Sequence, residues 1–396
     1  MNKKLLLLLP ILVCLLLASC QNGGSAPVSG TESDTYPASL EVETTAAPET
    51  SVPAPETSAE VVTEPALPES TEGTPAETRP SSMPEGMFEH PLTGMPCETD
   101  FSLSRPVGIM INNIPDAMPQ VGVSKADIMY ECLVEGGFTR LMMVVSDYAN
   151  LDVVGSVRSS RDYYLDMCAN HDAIYVHAGG SPMAYKGIRE RFINNLDGVN
   201  MYTPDTFYRD AERMKTMSLE HTLMTTGKGI VSGIKFKNYR TEKPADYPAM
   251  FNFTDLGSER TPEAMNAESI TIPYSFIQTS SFVYDAEKKL YAKNYNGEPH
   301  LDSANGEQLA YDNLLLIFCN QTVYTDGSGR IDLEYIGGGE GYYVYGGKAE
   351  PIKWHRYDRD AVMELKAADD SPLTVNRGKT FIAIVNTAME GSVKFE

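Results

Sequence analysis

Two arginines lie where a predicted strand is followed by a predicted helix. The run 152–157 is apolar and β-branched, which predicts a strand, and Arg158-Ser159-Ser160-Arg161-Asp162 follows it directly. Ser160 suits a helix cap, but cations in a first turn oppose the helix dipole by roughly a few tenths of a kcal/mol. Residues that break a local preference without structural gain are expected at functional sites. Because arginine forks bind phosphate or carboxylate with two hydrogen bonds, Arg158 and Arg161 are predicted anion ligands.

A glycine turn follows a second apolar run. The strand predicted at 172–177 leads into Ala178-Gly179-Gly180-Ser181-Pro182, in which serine suits an N-cap and proline the first helical position. Glycine permits close backbone approach, and a helix start at the end of a strand leaves N–H groups free for an anion. If both turns lie at one edge of the sheet, they form a single anion pocket. The predicted ligands from this turn are Gly179, Gly180 and Ser181.

Each of the two turns also has a purely structural interpretation. The glycine turn could be a tight strand-to-helix connection alone, and the arginines could form structural ion pairs with Glu131 or Glu135. Three more side chains are weaker candidates for the same pocket: Arg140, His177 and Arg209.

No familiar catalytic motif accompanies these residues. G-x-S-x-G, H-E-x-x-H and the P-loop are absent. His177 and His221 could act as acid or base, but neither has an identifiable nucleophile beside it. Whether the protein is an enzyme, and which residues would be catalytic, is therefore left open.

The cysteines do not predict a metal site. Those of the folded body form no C-x-x-C pair, and the spacing of Cys168 and His171 supplies only two ligands. We predict no metal and no cofactor, except magnesium under the phosphotransferase hypothesis below. The four cysteines are Cys97, Cys132, Cys168 and Cys319.

The elements that position the turns indicate two domains. From 86 to 255, strand-like runs at 106–112, 127–133 and 141–146 alternate with helical patterns at 161–170 and 183–194. This alternation predicts an α/β domain with a mixed, largely parallel sheet. From 265 to 396, tyrosine-rich strands between turns such as Asn296-Gly297 predict a mainly antiparallel β domain.

The first 20 residues predict export and lipid attachment. Two lysines, an apolar run and Leu17-Ala18-Ser19-Cys20 have the order of a secretory signal peptide ending in a lipobox. Acyl chains such as palmitate on Cys20 would anchor the mature protein to the membrane without a span. We expect it at the outer face of the cell membrane, lipid-anchored and extracytoplasmic.

The segment 21–85 is predicted to be a disordered tether. It is rich in proline, threonine, serine and glutamate, and it contributes −11 of the net charge of −22. An acidic chain does not favour nucleic acid as a partner. The expected partners are therefore the membrane, through the anchor, and an anionic envelope ligand or a cell-wall protein.

Several motifs resemble one known family. Pro91-Leu92-Thr93-Gly94, Val157-Arg158-Ser159-Ser160-Arg161 and Tyr175-Val176-His177-Ala178-Gly179-Gly180-Ser181-Pro182 resemble the YerB-type lipoproteins of Gram-positive bacteria, as does Asn296-Gly297-Glu298-Pro299-His300. The resemblance covers nearly all of residues 90–390. It implies a two-domain extracytoplasmic lipoprotein of unknown biochemical function, and it supplies no catalytic residue.

A second, much weaker similarity is to the envelope phosphotransferases of the LytR-CpsA-Psr type. It rests on an apolar strand, an arginine-bearing turn and the 175–182 segment; that family has a Pro-Arg-Asp run, whereas here Ser160 precedes Arg161-Asp162.

Three hypotheses for the function result from the sequence. The one we favour is binding of an anionic envelope ligand. The second is magnesium-assisted transfer of a polyprenyl-phosphate-linked glycan, with Asp162 helping to hold the metal, and the third is a protein-binding scaffold for cell-wall proteins.

Overall fold

The computed structural model describes residues 82–396. The predicted signal peptide 1–20, the lipidation site Cys20 and almost all of the tether 21–85 lie outside the described residues. Across the described range, no helix combines the length and the apolar character that a membrane crossing requires. Helix content is low, and the α-helices are α1 (Asp162–Ala169), α2 (Pro182–Glu190) and α3 (Gly227–Phe236).

Strands make up most of the regular structure. The first half of the described chain holds β1 (Phe88–Glu89), β2 (Pro96–Cys97), β3 (Val107–Asn113), β4 (Ile128–Leu133), β5 (Thr139–Val145), β6 (Val153–Gly155), β7 (Ile174–His177), β8 (Asn195–Asp197), β9 (Phe207–Arg209) and β10 (Leu223–Thr226). The second half begins with β11 (Asn252–Phe253), β12 (Met265–Asn266), β13 (Ser269–Pro273), β14 (Thr279–Asp285), β15 (Leu290–Tyr295), β16 (Glu298–Pro299), β17 (Ala310–Tyr311) and β18 (Asn313–Cys319). It continues with β19 (Gln321–Val323), β20 (Ile331–Leu333), β21 (Gly337–Tyr345), β22 (Lys348–Arg356), β23 (Glu364–Ala367), β24 (Thr374–Val375), β25 (Thr380–Asn386) and β26 (Lys394–Phe395).

An eleven-stranded sheet lies at the centre of the fold. Its order is β12-β22-β21-β18-β25-β4-β5-β3-β7-β8, with β23 also paired to β22. Strand β25 of the second half lies parallel to β4 of the first, with Phe381 opposite Met129. Strands from both halves therefore share one sheet. The division into an α/β domain at 86–255 and a β domain at 265–396 stays a prediction.

The first half is less parallel than its sequence predicts. Strands β3 and β4 both pair antiparallel with β5, while β7 and β8 continue parallel from β3. Only residues 134–138 join β4 to β5, whereas a parallel crossover needs about a dozen residues or more. The mixed sheet is confirmed, but its largely parallel character was wrong because this short connection forces a hairpin.

One edge of the central sheet collects the ends of several strands. Because β5 runs opposite to β3 and β4, these two point the same way, and β7, β8, β18 and β25 share their direction. We call the edge where these strands end the carboxyl edge.

Antiparallel hairpins dominate the rest of the second half, as predicted. A six-stranded sheet has the order β16-β15-β14-β13-β26, with β17 also paired to β15. Asn296 and Gly297 form the turn between β15 and β16, with φ values of 49° and 90° that asparagine and glycine tolerate best. The rings of Tyr284 and Tyr291 lie 5.0 Å apart on opposite strands, so these tyrosines pack within the sheet.

Apolar side chains cover both faces of the central sheet. On one face, Ile109 and Phe381 belong to a buried cluster with Phe282 and Tyr291 of the hairpin sheet. On the other face, the β strands pack with α1, whose Tyr164 and neighbours are fully buried. Each buried side chain of this size contributes roughly 1.5–3 kcal/mol, so the hairpin sheet and α1 are held by burial from both sides.

Candidate anion-binding site

The arginine turn and the glycine turn are neighbours in space. The Ser160 amide donates to the Gly179 carbonyl at 2.9 Å, and the Ser181 amide donates to the Ser160 carbonyl at 3.2 Å. The Ala178 amide donates to the Arg158 carbonyl at 3.0 Å. The two turns therefore form a short parallel bridge beside the carboxyl edge, as a single pocket would require.

The glycine turn, however, already uses its polar groups internally. The Gly179 amide donates to Asp197 Oδ1 at 2.7 Å, and Ser181 Oγ accepts the Ala184 amide at 3.1 Å as the N-cap of α2. His177 is fully buried, with Nδ1 2.8 Å from the Gly179 carbonyl oxygen and Nε2 3.2 Å from Asn195 Oδ1. These groups stabilise the turn, so the expectation that they bind a ligand is not supported by the geometry.

Arg161 forms the ion pair that the sequence left open. Its Nε and Nη2 each lie 2.6 Å from one oxygen of Glu135, and Nη1 donates to the Ser160 carbonyl at 2.7 Å. Ser160 does not cap α1, because Arg161 itself occupies the N-cap position without a side-chain hydrogen bond. The side chain of Arg161 is only 13% exposed, and all three of its guanidinium nitrogens take part in these hydrogen bonds.

Arg158 and Arg140 complete a group that we call the arginine cluster: Arg140, Arg158 and Arg161. Arg158 Nη2 lies 2.7 Å from Glu220 Oε2, and Arg140 Nη1 donates to the Ser159 carbonyl at 2.7 Å. Glu220 is 52% exposed, against 18% for Arg158. The carboxylate that pairs with Arg158 therefore lies on the solvent side of the cluster.

The cluster concentrates positive charge. Burial, and then the charges of Arg161 and Arg158, lower the pKa of Arg140 to about 10. Burial raises the pKa of Glu220, but the hydrogen bond and charge of Arg158 outweigh it and the net shift is downward; Glu135 behaves in the same way beside Arg161. Three guanidinium groups thus face two ionised carboxylates, which leaves one positive charge in excess.

Two further side chains at this site were not predicted together. Asn112, at the end of β3, is the cross-strand neighbour of Arg140, and its Nδ2 lies 2.8 Å from His221 Nδ1. His221 Nε2 lies 3.5 Å from Glu220 Oε1. Burial lowers the pKa of His221, which favours the neutral imidazole. The sequence offered one signal for this pair, because Asn112 ends an apolar strand and His221 is a possible acid or base.

Arg209 lies beside the site and contacts the segment that carries Glu220 and His221. Its Nη1 donates to the Leu219 carbonyl and to Thr222 Oγ1, the latter at 3.2 Å. These bonds hold the segment that carries Glu220 and His221. Arg209 therefore positions the site, and the prediction that it binds the ligand directly finds no support in its contacts.

A fully buried polar network lies next to the arginine cluster, on the other face of the sheet. Glu131 accepts hydrogen bonds from Thr139 Oγ1 and Ser280 Oγ, both at 2.7 Å, and its Oε2 lies 3.5 Å from Lys293 Nζ. Both Glu131 and Lys293 are fully buried. The network joins β4 to the hairpin sheet, so its evident role is to fasten the two halves of the chain.

A cavity of about 820 Å³ lies at the opposite edge of the sheet. Asp127 and Lys379, which precede β4 and β25, are among its lining residues. Asp127 Oδ2 accepts the Ser146 amide at 2.8 Å, and Lys379 Nζ donates to the Ser124 carbonyl at 2.7 Å. We place the candidate site at the arginine cluster because positive charge exceeds negative charge there.

Within residues 82–396, no group of three or more histidine, cysteine or acidic side chains is arranged to hold a metal ion. Asp162, which the phosphotransferase hypothesis assigned to magnesium, lies 3.5 Å from Arg359.

Two family models match this chain. They are described as the N-terminal and C-terminal domains of a protein of unknown function (DUF3048), and they match residues 92–240 and 270–382. The chain belongs to the DUF3048 family. The predicted family resemblance is thereby confirmed.

One relative of this DUF3048 protein, from Bacillus subtilis (strain 168), bears the name ‘Putative lipoprotein YerB’. The two are 28% identical over 298 residues, which cover 74% of this chain and 85% of the relative. The crystal structure of YerB has a TM-score of 0.66 to this fold at 24% identity, and the match covers 78% of this chain and 99% of that one. The structural similarity shows a shared fold.

Proposed function

We propose that this DUF3048 protein is a lipid-anchored extracytoplasmic protein that binds an anionic ligand of the cell envelope at the arginine cluster. The observation that carries the proposal is the grouping of Arg140, Arg158 and Arg161 beside two paired carboxylates, Glu135 and Glu220, in a chain of net charge −22. Isolated cations on an acidic protein pair with local acids, whereas three adjacent guanidinium groups repel one another. Their proximity costs free energy that an anion would relieve.

Glu220 already acts as an internal substitute for that anion. Its carboxylate bridges Arg158 Nη2 at 2.7 Å and His221 Nε2 at 3.5 Å. Because Glu220 is half-exposed, the net stabilisation from its pairing with Arg158 is small, about 0–1 kcal/mol. A phosphate, which can accept two hydrogen bonds from one guanidinium group, can displace this carboxylate and occupy the same position.

The anchoring part of the proposal rests on the predicted lipobox that ends at Cys20 and on the name of the relative, ‘Putative lipoprotein YerB’. We expect Cys20→Ala to move the protein from the membrane fraction to the soluble fraction of the cell. Membrane fractionation measures this, and retention of the variant in the membrane would count against the anchor.

The ligand-binding part is tested with the mature chain, residues 20–396 carrying Cys20→Ala. Isothermal titration calorimetry with glycerol phosphate should show binding that Arg158→Gln weakens about tenfold or more, because a charge-assisted bidentate contact contributes roughly 1.5–3 kcal/mol. The matched control is Arg189→Gln, which removes one exposed positive charge at the end of α2. Equal weakening by both variants would show that only the overall charge matters, and the proposed site would then be wrong.

A further inference from the structure

The Asn112 side chain has one end without a partner. Its Nδ2 lies 2.8 Å from His221 Nδ1, whereas Oδ1 is buried without any hydrogen bond. Asn112 as a whole is only 1% exposed. A buried acceptor without a partner is costly, so an atom of this kind beside a binding site indicates what a ligand must offer there.

The orientation of this amide follows from its neighbours. His221 Nε2 faces the acceptor Glu220 Oε1, so Nε2 carries the proton of the neutral ring and Nδ1 is left as an acceptor. Nδ1 must then receive a hydrogen bond from the NH₂ end of Asn112. The reverse orientation would put the ring proton on Nδ1 and set the Nε2 lone pair against the Glu220 carboxylate. The unpartnered end of Asn112 is therefore the carbonyl oxygen, which accepts and does not donate.

Asn112 lies next to the backbone segments that carry Arg140 and Arg158. Arg140 is its direct cross-strand neighbour, and the backbone N–H of Asn112 donates to the Ser156 carbonyl in the segment that leads to Arg158. The Arg158 amide donates to the Met110 carbonyl on the same strand at 2.9 Å. Asn112 is thus flanked by the backbone segments that carry Arg140 and Arg158, and its side chain is joined to Glu220 through the ring of His221.

We propose that the ligand of this site is a phosphate ester of a polyol, whose phosphate replaces the Glu220 carboxylate and whose hydroxyl group donates to Asn112 Oδ1. The inference rests on the proposed function. A fully ionised phosphate has no proton to donate, so the phosphate alone leaves Asn112 unsatisfied. A hydroxyl on the carbon chain next to the phosphate supplies the missing donor. Asn112 is thereby a specificity residue, while the arginines supply the anion contact.

Two probes isolate the hydroxyl group. Glycerol 3-phosphate and n-propyl phosphate have the same number of carbons and the same phosphate, and only the first carries hydroxyls. For the mature chain with Cys20→Ala, calorimetry should give a Kd for glycerol 3-phosphate about tenfold lower than that for n-propyl phosphate. In Asn112→Leu, which keeps the size of the side chain but removes the acceptor for the hydroxyl, the ratio of the two Kd values should fall to about one.

The comparison in the wild-type sequence does not depend on how the variant folds. Equal affinity for the two probes would overturn the polyol inference and leave the anion site standing, whereas no binding of either probe would overturn both.

Vesicles separate the two possible sources of the ligand. Preference for phosphatidylglycerol over phosphatidic acid vesicles would identify a lipid headgroup, and binding to a soluble glycerol-phosphate oligomer without that preference would identify a free polyol phosphate. Equal binding to phosphatidylglycerol and phosphatidic acid, without binding to the oligomer, would contradict the inference.

Discussion

At the scale of single residues, a ligand of the candidate site would compete with the carboxylates of Glu135 and Glu220 for the arginines. Glu135 is bound by two nitrogens of Arg161 and is 22% exposed, whereas Glu220, which pairs with Arg158 Nη2, is 52% exposed. The first pair is better shielded from solvent, so water screens it less. In the binding mode that we propose, Glu220 is therefore the carboxylate that the ligand displaces, while Glu135 keeps Arg161 in place.

This difference predicts the effect of neutralising Glu220. Glu220→Gln removes the competing charge but keeps the size of the side chain, so the affinity for glycerol phosphate should rise, by up to about fivefold if one exposed ion pair no longer has to be broken. Calorimetry with the mature chain measures the Kd. Glu190→Gln is the matched control, since Glu190 is exposed and lies 3.9 Å from Lys186, away from the cluster. A weaker affinity in Glu220→Gln would mean that Glu220 supports the ligand site.

At the scale of elements, the sequence predicted the strands and helices that carry the site. The strand expected at 106–112 is found at Val107–Asn113, and the helix expected at 161–170 is found at Asp162–Ala169. Apolar runs and caps are local signals, so they are readable without a structure. The sequence predicts a single anion pocket only if both turns lie at one sheet edge; the structure brings the turns together there, and the pocket stays a prediction.

The partners of individual groups could not be read in the same way. Glu220 lies 62 positions after Arg158 and Asn112 lies 109 positions before His221, and no local pattern connects such residues. The antiparallel insertion of β5 also escaped prediction, because buried strands look alike whether they pair in parallel or antiparallel. The Gly179 amide, which the sequence predicts to be free for an anion, donates instead to Asp197. No local pattern in the sequence indicated this partner.

The closed glycine turn makes a prediction about α2. Ser181→Ala removes the hydroxyl that caps the Ala184 amide, so the free energy of unfolding should fall by about 1 kcal/mol, as measured by urea denaturation. The affinity for glycerol phosphate should not change, since Ser181 serves the helix. Ser181→Asp retains a capping oxygen and should restore most of the stability. If Ser181→Ala clearly lost affinity while its stability stayed unchanged, Ser181 would be a direct ligand contact.

At the scale of the whole molecule, the two halves of the chain are joined more closely than two consecutive domains would be. Strand β25 lies between β18 and β4 in one sheet, and the buried Glu131–Lys293 pair fastens β4 to β15. Breaking a buried pair by separating its partners leaves an uncompensated charge in the interior, at a cost of about 3–5 kcal/mol. Neither half can therefore leave the other without exposing both an apolar strand and a buried charge.

This coupling predicts one cooperative unfolding transition for the folded body. Differential scanning calorimetry of the mature chain should show a single peak whose calorimetric and van't Hoff enthalpies agree, as expected for a two-state unit. A fragment that ends at residue 255 should fail to fold, because it lacks β25 and leaves the buried face and edge of β4 without partners. Lys293→Met should lower the transition temperature without splitting the peak. Two separate transitions, or a soluble and folded fragment 86–255, would show that the segments matched by the two family models are independent domains after all.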